Sequence, residues 1–189
     1  MFATQVIFGV NGQKYSFNSL YVRAVEHSCS TTMLPGAPEC IVGVTELRGE
    51  WIPICDLEIK FKTGNRGKAD RDVIFVNYSQ GCIGCLVDVV HEIGAVTEDV
   101  QMKLPGIIQN ENTSYVEGIV RHKGELVTAI HHEGILTPNE AAQLSVAMKS
   151  LMKKKKDEED AILAAEAAKK EAEEKAKKEA EEKAKNEAE

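Results

Sequence analysis

Aromatic side chains are scarce in this 189-residue sequence, at 5%, and tryptophan occurs once. A core must come mainly from aliphatic residues, and an apolar content of 43% is enough to build one. No apolar run approaches the ~20 residues that a membrane-spanning helix needs. The N-terminus, MFATQVIFGV, has neither a basic leader nor a cleavage motif, so a soluble cytoplasmic protein is expected. A basic footprint for nucleic acid is missing too, because the net charge is −7. Catalytic signatures are equally sparse. Gly64-Asn-Arg-Gly67 lacks the lysine and the helix of a phosphate loop, and no nucleophile elbow occurs. His27, His91 and His122 are isolated, and His131-His132 on a predicted strand would face opposite ways. Asp56 and Asp88 fall at predicted strand ends, where bonding to a turn accounts for them. No enzymatic activity and no cofactor are expected.

A disulfide framework is excluded on similar grounds. Five cysteines without an export signal argue for reduced thiols. Cys82-Ile-Gly-Cys85 has a zinc-like spacing, but it lies in the strand-like run GCIGCLVDVV. Positions three apart on a strand point to opposite faces, and no second CxxC completes a tetrahedral set. No metal is expected.

What the sequence does carry is glycine-punctuated strand text up to about Glu140. Asn11-Gly12 separates Val6–Val10 from Gln13–Phe17 and is a strong hairpin signal, because both turn residues need positive φ. Further strands are predicted near 21–26, 41–47, 51–56, 72–78, 82–90, 115–121 and 125–131, a spacing that suits small barrels or a sandwich. The pattern is written twice. At an offset of 75, Gly43, Val44, Gly49 and Glu50 meet Gly118, Ile119, Gly124 and Glu125, while Val73-Ile-Phe75 takes the place of Val6-Ile-Phe8. Leu34-Pro-Gly36 also has a second copy in Leu104-Pro-Gly106. Each half reads as a unit of about five strands, too small to bury much alone, so the two should share a core. Gly49 and Gly124 are placed at the turns between the last two strands of each half. Only the first copy carries Arg48, and Lys123 stands in its place in the second. An arginine fork before a glycine turn can stitch the barrels together through carbonyls, face a partner, or do both.

A helix start follows at Thr137-Pro-Asn-Glu140, with Thr at the cap, Pro at the first position and Glu three on. Leu144, Met148, Leu151 and Met152 form an apolar stripe beyond it. From about Lys153 the text is charged and low in complexity, with KKEAEEKA written twice from Lys169. Pairs such as Glu171→Lys175 and Glu179→Lys183 favour a solvated single helix. The absence of a/d leucines argues against a coiled coil.

Residues 43–61, GVTELRGEWIPICDLEIKF, closely resemble the central motif of the chemotaxis coupling proteins, the CheW-like domain family, with its Gly-Val-x-x-Leu-Arg-Gly-x-x-x-Pro-x-x-Asp-Leu pattern. Leu34-Pro-Gly-Ala-Pro38 and Gly84-Cys-Leu-Val-Asp88 fit as well, and the likeness runs from about Gln5 to Leu136. It implies an all-β fold of two side-by-side, five-stranded, SH3-like barrels, here followed by a charged C-terminal helix. The domain would span 1–140, with subdomain one about 4–61, subdomain two about 72–136 and the helical tail 141–189. It implies a scaffold at receptor arrays that joins the cytoplasmic tip of methyl-accepting chemoreceptors to the regulatory domain of the histidine kinase CheA. Membrane contact would come only through the receptors. The partner-binding residues carried over are Val22, Val25, Gly43, Val44, Leu47, Arg48, Gly49, Gly84 and Val90. Ala24 departs from the family glutamate that pairs with the motif arginine, and Glu26, Glu46 or Glu50 are the candidates to replace it. A second reading keeps the fold without the kinase, as a stand-alone homo-oligomeric structural module.

Overall fold

The computed structural model describes residues 4–63, 70–95, 98–102 (backbone only), 115–157 and 160–161. Two compact units divide the chain, Met1–Ala147 and Met148–Glu189. The second Leu-Pro-Gly copy and the octads lie outside the described residues. Of the second unit, residues 148–157 and 160–161 are described, and they are helical.

The first unit holds eleven described strands: β1 Thr4–Val10, β2 Gln13–Asn18, β3 Val22–His27, β4 Ile41–Leu47, β5 Glu50–Asp56, β6 Asp72–Tyr78, β7 Gly81–Val87, β8 Val89–Ala95, β9 Glu98–Met102, β10 Val116–His122 and β11 Glu125–Ile130. They make a six-stranded sheet in the order β8-β1-β2-β11-β10-β9 and a five-stranded sheet in the order β3-β6-β7-β5-β4. With β9 set aside, the two orders correspond strand for strand. β1–β2 matches β6–β7, β10–β11 matches β4–β5, and β8 matches β3.

The correspondence extends to register. Both late hairpins slip just before the aligned glycine, between Ile41 and Gly43 and between Val116 and Gly118. Both then place that glycine opposite a residue of the last strand, Ile54 or Ala129. Each sheet also contains one parallel pair, β5 with β7 and β11 with β2. The three hairpin turns Asn11-Gly12, Arg48-Gly49 and Lys123-Gly124 all have positive φ at both residues, 48 and 75°, 54 and 83°, and 50 and 83°. That is the geometry whose twist suits adjoining antiparallel strands.

The expected boundaries of the halves need correction. Neither sheet is built from 4–61 or from 72–136. The first hairpin of each half joins the last hairpin of the other half. The chain changes sheet twice, at Ser19–Tyr21 after β2 and again at Asp88. Predicted strand 82–90 is in fact two strands, β7 in one sheet and β8 in the other. At the corner between them the Asp88 amide donates to Gly9 O at 2.9 Å, and its carboxylate accepts from Asn11 N at 2.8 Å.

Both faces of the central strands are covered. On β6, Val73 and Phe75 join Ile52 and Ile54 in one cluster, while Ile74 and Val76 on the opposite face are fully buried too. On β1, Ile7 clusters with Val120, Val127 and Ala129, while Val6, Phe8 and Val10 are buried on the other side. Each sheet thus encloses its own small core and presents a second apolar face to a shared one. Complete burial of one such side chain contributes about 1.5–3 kcal/mol, so this double use of each strand is what a chain poor in aromatics relies on.

Short helical elements cap the sheets. Asp56 caps α1, Leu57–Phe61, by accepting from Glu58 N at 2.9 Å, and Lys62 closes it in the left-handed region. A helix α2 begins at residue 138. Its start is the reciprocal cap expected from sequence: Glu140 Oε2 accepts from Thr137 N at 2.7 Å, and Thr137 Oγ1 accepts from Glu140 N at 3.3 Å. Ala141, Leu144 and Ala147 turn one face of it inward. Of the expected stripe, Met148, Leu151 and Met152 fall in the second unit.

Two further expectations are refined. β11 ends at Ile130, so His131 and His132 are not on a strand. His131 N donates to Tyr115 O at 2.7 Å, and the His132 ring stacks on Tyr21. Asp56 and Asp88 do bond to turns, but they also serve Arg71, which the sequence did not flag. The Arg71 guanidinium donates to both Asp56 oxygens at 2.7 and 2.9 Å and lies 3.7 Å from Glu58 and 4.0 Å from Asp88. Since Asp88 holds the β1–β2 turn, this buried group links the two sheets.

Candidate partner-binding surface

The nine carried-over residues separate into two sets. Gly43, Val44 and Gly84 are interior. Gly84 lies in a row across the sheet, Ala24–Phe75–Gly84–Ile54–Gly43. A Cβ there would come within 2.4 Å of Ile54 Cδ1 and 3.0 Å of Val73 Cγ1, so glycine is required by packing. At Gly43 the obstacle is backbone, with Thr32 O 2.5 Å from the position a Cβ would take. These residues shape the barrel and cannot touch a partner directly.

The other set reaches the surface. Val22 and Val25 lie on β3, with Val25 38% exposed. Leu47, Arg48 and Gly49 form the tip of the β4–β5 hairpin, where Arg48 and Gly49 are exposed and Leu47 packs partly on the barrel core. Val90 is the second residue of β8 and is half-buried. Gly49 with φ +83° completes the tight turn that carries the exposed Arg48.

Ion pairs close each barrel, and they explain the asymmetry of the repeat. In the six-stranded sheet, Glu92 of β8 reaches the β10–β11 hairpin, bonding His122 Nε2 at 2.6 Å and Lys123 Nζ at 2.5 Å. Lys123 and His122 hold the Glu92 carboxyl below its ordinary value. In the five-stranded sheet the corresponding elements are joined by Arg23 of β3 and Glu50 of the β4–β5 hairpin. The polarity is reversed, with the base on the edge strand and the acid on the hairpin. Of the candidates to receive Arg48, Glu50 is therefore engaged by Arg23. Among the described residues no ion pair closes on Arg48, whereas its counterpart Lys123 is tied down.

Val90 is joined to this surface through one carboxylate. Asp72, at the start of β6, accepts from Val90 N at 2.6 Å and contacts His27 Nδ1, at the end of β3, at 2.6 Å. β3, the hairpin tip and the start of β8 are thus bound to one another by Arg23–Glu50 and by Asp72.

Cys82 and Cys85 face opposite sides of β7. Cys82 packs on the Ile54 and Phe75 cluster, and Cys85 lies beside Ile74, so the two thiols cannot share one ion. Burial pushes the Cys85 thiol far up. A separate cavity of about 450 Å³ opens beside α1 and the start of α2, lined by Glu39, Cys40, Lys60, Phe61, Tyr115 and Glu140 among others. It contains none of the nine residues. No helix among the described residues is long and apolar enough to cross a membrane.

Fold and surface define a class: a paired small-barrel domain with an exposed arginine at a hairpin tip beside the edge strand β3. The profile of the CheW-like domain family matches residues 5–140, and the chain belongs to that family. The chemotaxis protein CheW of Klebsiella aerogenes is 27% identical over 77% of this chain and 88% of its own length. That of Bacillus subtilis is 27% identical over 75% of this chain and 90% of its own. The crystal structure of the scaffolding protein TtCheW from Thermoanaerobacter tengcongensis superposes with a TM-score of 0.67 at 30% identity, covering 74% of this chain and 96% of that one.

Proposed function

We propose that this chain is a chemotaxis scaffold that couples methyl-accepting chemoreceptors to the histidine kinase CheA at receptor arrays in the cytoplasm. The observation that carries this reading is the family match across the whole two-barrel unit, combined with an Arg48 left exposed at the hairpin tip. The receptor tip, a helical hairpin, docks an apolar face against β3 and the hairpin, with Val22, Val25 and Leu47 as the apolar floor and Arg48 at its rim. The interior residues Gly43, Val44 and Gly84 set the curvature of that surface without touching the partner. The regulatory domain of CheA, itself built of such barrels, pairs on barrel faces away from this site. The work is done by binding alone, without chemistry at any group of this chain.

The test is titration of the intact protein with a receptor cytoplasmic tip and with the CheA regulatory domain, each alone and then together. Both should bind, and the second should bind to the complex formed with the first. Failure to bind either, with a defined homo-oligomer in sedimentation, favours the stand-alone structural module instead.

A further inference from the structure

We propose that Asp72 is a positioning residue of the receptor-facing surface, one carboxylate that fastens the end of β3 to the start of β8 under the control of the charge on His27. This inference rests on the receptor-binding reading above. Asp72 is 9% exposed, and its two oxygens are divided between two elements. Oδ2 takes the amide of Val90 and Oδ1 takes the ring of His27. β3 carries Val22 and Val25, and β8 begins with Val89 and Val90. Only β6 lies beside β3 in the sheet, since β3 is an edge strand, so among the described residues no strand pairing ties its end to β8.

The His27 side chain is 75% exposed and therefore open to protons. From β6 and the residues before it, Asp72 and Asp70 face the ring. Arg71 is turned to Asp56, and its carbonyl accepts from Ser28 N, just past the end of β3, at 3.1 Å. Glu26 precedes the histidine on its own strand, and β8 meets the same carboxylate through the Val90 amide. The bond to Asp72, followed by the charges of Asp72 and Asp70, raises His27 above its ordinary value of 6.5. A raised value means that the protonated form favours the fastened arrangement. That contribution is fully present below about pH 6.5 and is lost as pH rises through the higher folded value. Receptor docking, which needs β3 and β8 held together, tightens in the same direction.

The experiment measures receptor-tip affinity from pH 6 to 8.5 for the wild type, His27→Ala and Asp72→Asn, with the CheA regulatory domain titrated alongside. The wild type should bind the receptor about two- to fivefold more tightly at the acid end, the range that an exposed ion pair supports. His27→Ala removes only an exposed ring. It should lose that slope and sit at the wild-type affinity of high pH. Asp72→Asn keeps an oxygen for Val90 N but removes the charge, and it should be equally flat. CheA affinity should not respond to His27. A wild-type profile that His27→Ala leaves unchanged overturns the positioning role while leaving the scaffold reading intact. Absence of receptor binding at every pH overturns both.

Discussion

Arg48 and Lys123 occupy the same turn position in two equivalent hairpins and have opposite fates. Lys123 spends its charge on Glu92. Arg48 is released because Arg23 and Glu50 close the first barrel in its place. That reversal fits Ala24, where the resemblance to the family implies a glutamate. A carboxylate there is not needed to hold a barrel that is already latched by the neighbouring residue. Arg48→Ala should therefore leave folding untouched and weaken receptor binding by more than about thirtyfold, since an interface arginine typically costs about 2 kcal/mol or more. Lys123→Ala should leave receptor binding within about twofold, because an exposed pair contributes little. Calorimetric titration of both variants against the receptor tip checks this. Receptor binding by Arg48→Ala at wild-type strength would remove the arginine from the docking surface.

At the scale of elements, the start of α2 is held by three contacts on one side chain. Glu140 completes the reciprocal cap with Thr137, meets Lys60 Nζ at 2.5 Å and lies 3.8 Å from Cys40 Sγ. Burial raises its carboxyl, but the bonds from Lys60 and Thr137 outweigh this and hold it below the ordinary 4.5. A depressed value stabilises the fold above pH 4.5 and is lost as pH falls through the folded value. Glu140→Gln should melt about 2–4 °C below the wild type at pH 7, as expected for about 1 kcal/mol in a domain of this size, and the gap should narrow as the pH falls below 4.5 and through the lower folded value. Melting curves at the two pH values decide it, and a gap that stays constant in acid would show that the carboxylate charge has no part. This cap was legible in Thr137-Pro-Asn-Glu140, as the β1–β2 turn was in Asn11-Gly12, because both are closed within a few residues. The split of predicted strand 82–90 at Asp88 was not legible. Nothing in CLVDVVHE is a local breaker, and the bend is imposed by Gly9 and Asn11 from far along the chain. The exchange of hairpins between the halves was hidden for the same reason. An internal repeat reveals that two units are equivalent, not which copy supplies which strand. At the proposed binding surface the sequence named the arginine and the edge-strand valines as candidates. It missed Asp72 and His27, whose only signal is contact in space.

On the scale of the whole molecule, the two sheets are joined by a buried charge. Arg71 neutralises Asp56 at the end of β5 and approaches Asp88, which in turn holds the β1–β2 turn of the other sheet. Such a group is expensive to interrupt, because removing one partner strands the others without water. Arg71→Leu should cost about 3–5 kcal/mol and lower the melting temperature by more than about 6 °C. Melting within about 2 °C of the wild type would show that the network adds no net stability.

The exchange of hairpins between the halves also constrains how the chain reaches this state. β2 emerges early from the ribosome, yet its parallel partner β11, with Tyr15 beside Thr128 and Phe17 beside Ile130, is among the last strands of the unit to appear. β5 must likewise wait for β7. Neither barrel can close while its half of the chain is alone in solution, so folding is governed by distant pairings and should be slow for a unit of this size. Until synthesis has passed Ile130 the β1–β2 hairpin carries an open edge, and that nascent edge is where a chaperone or a stray second copy would bind.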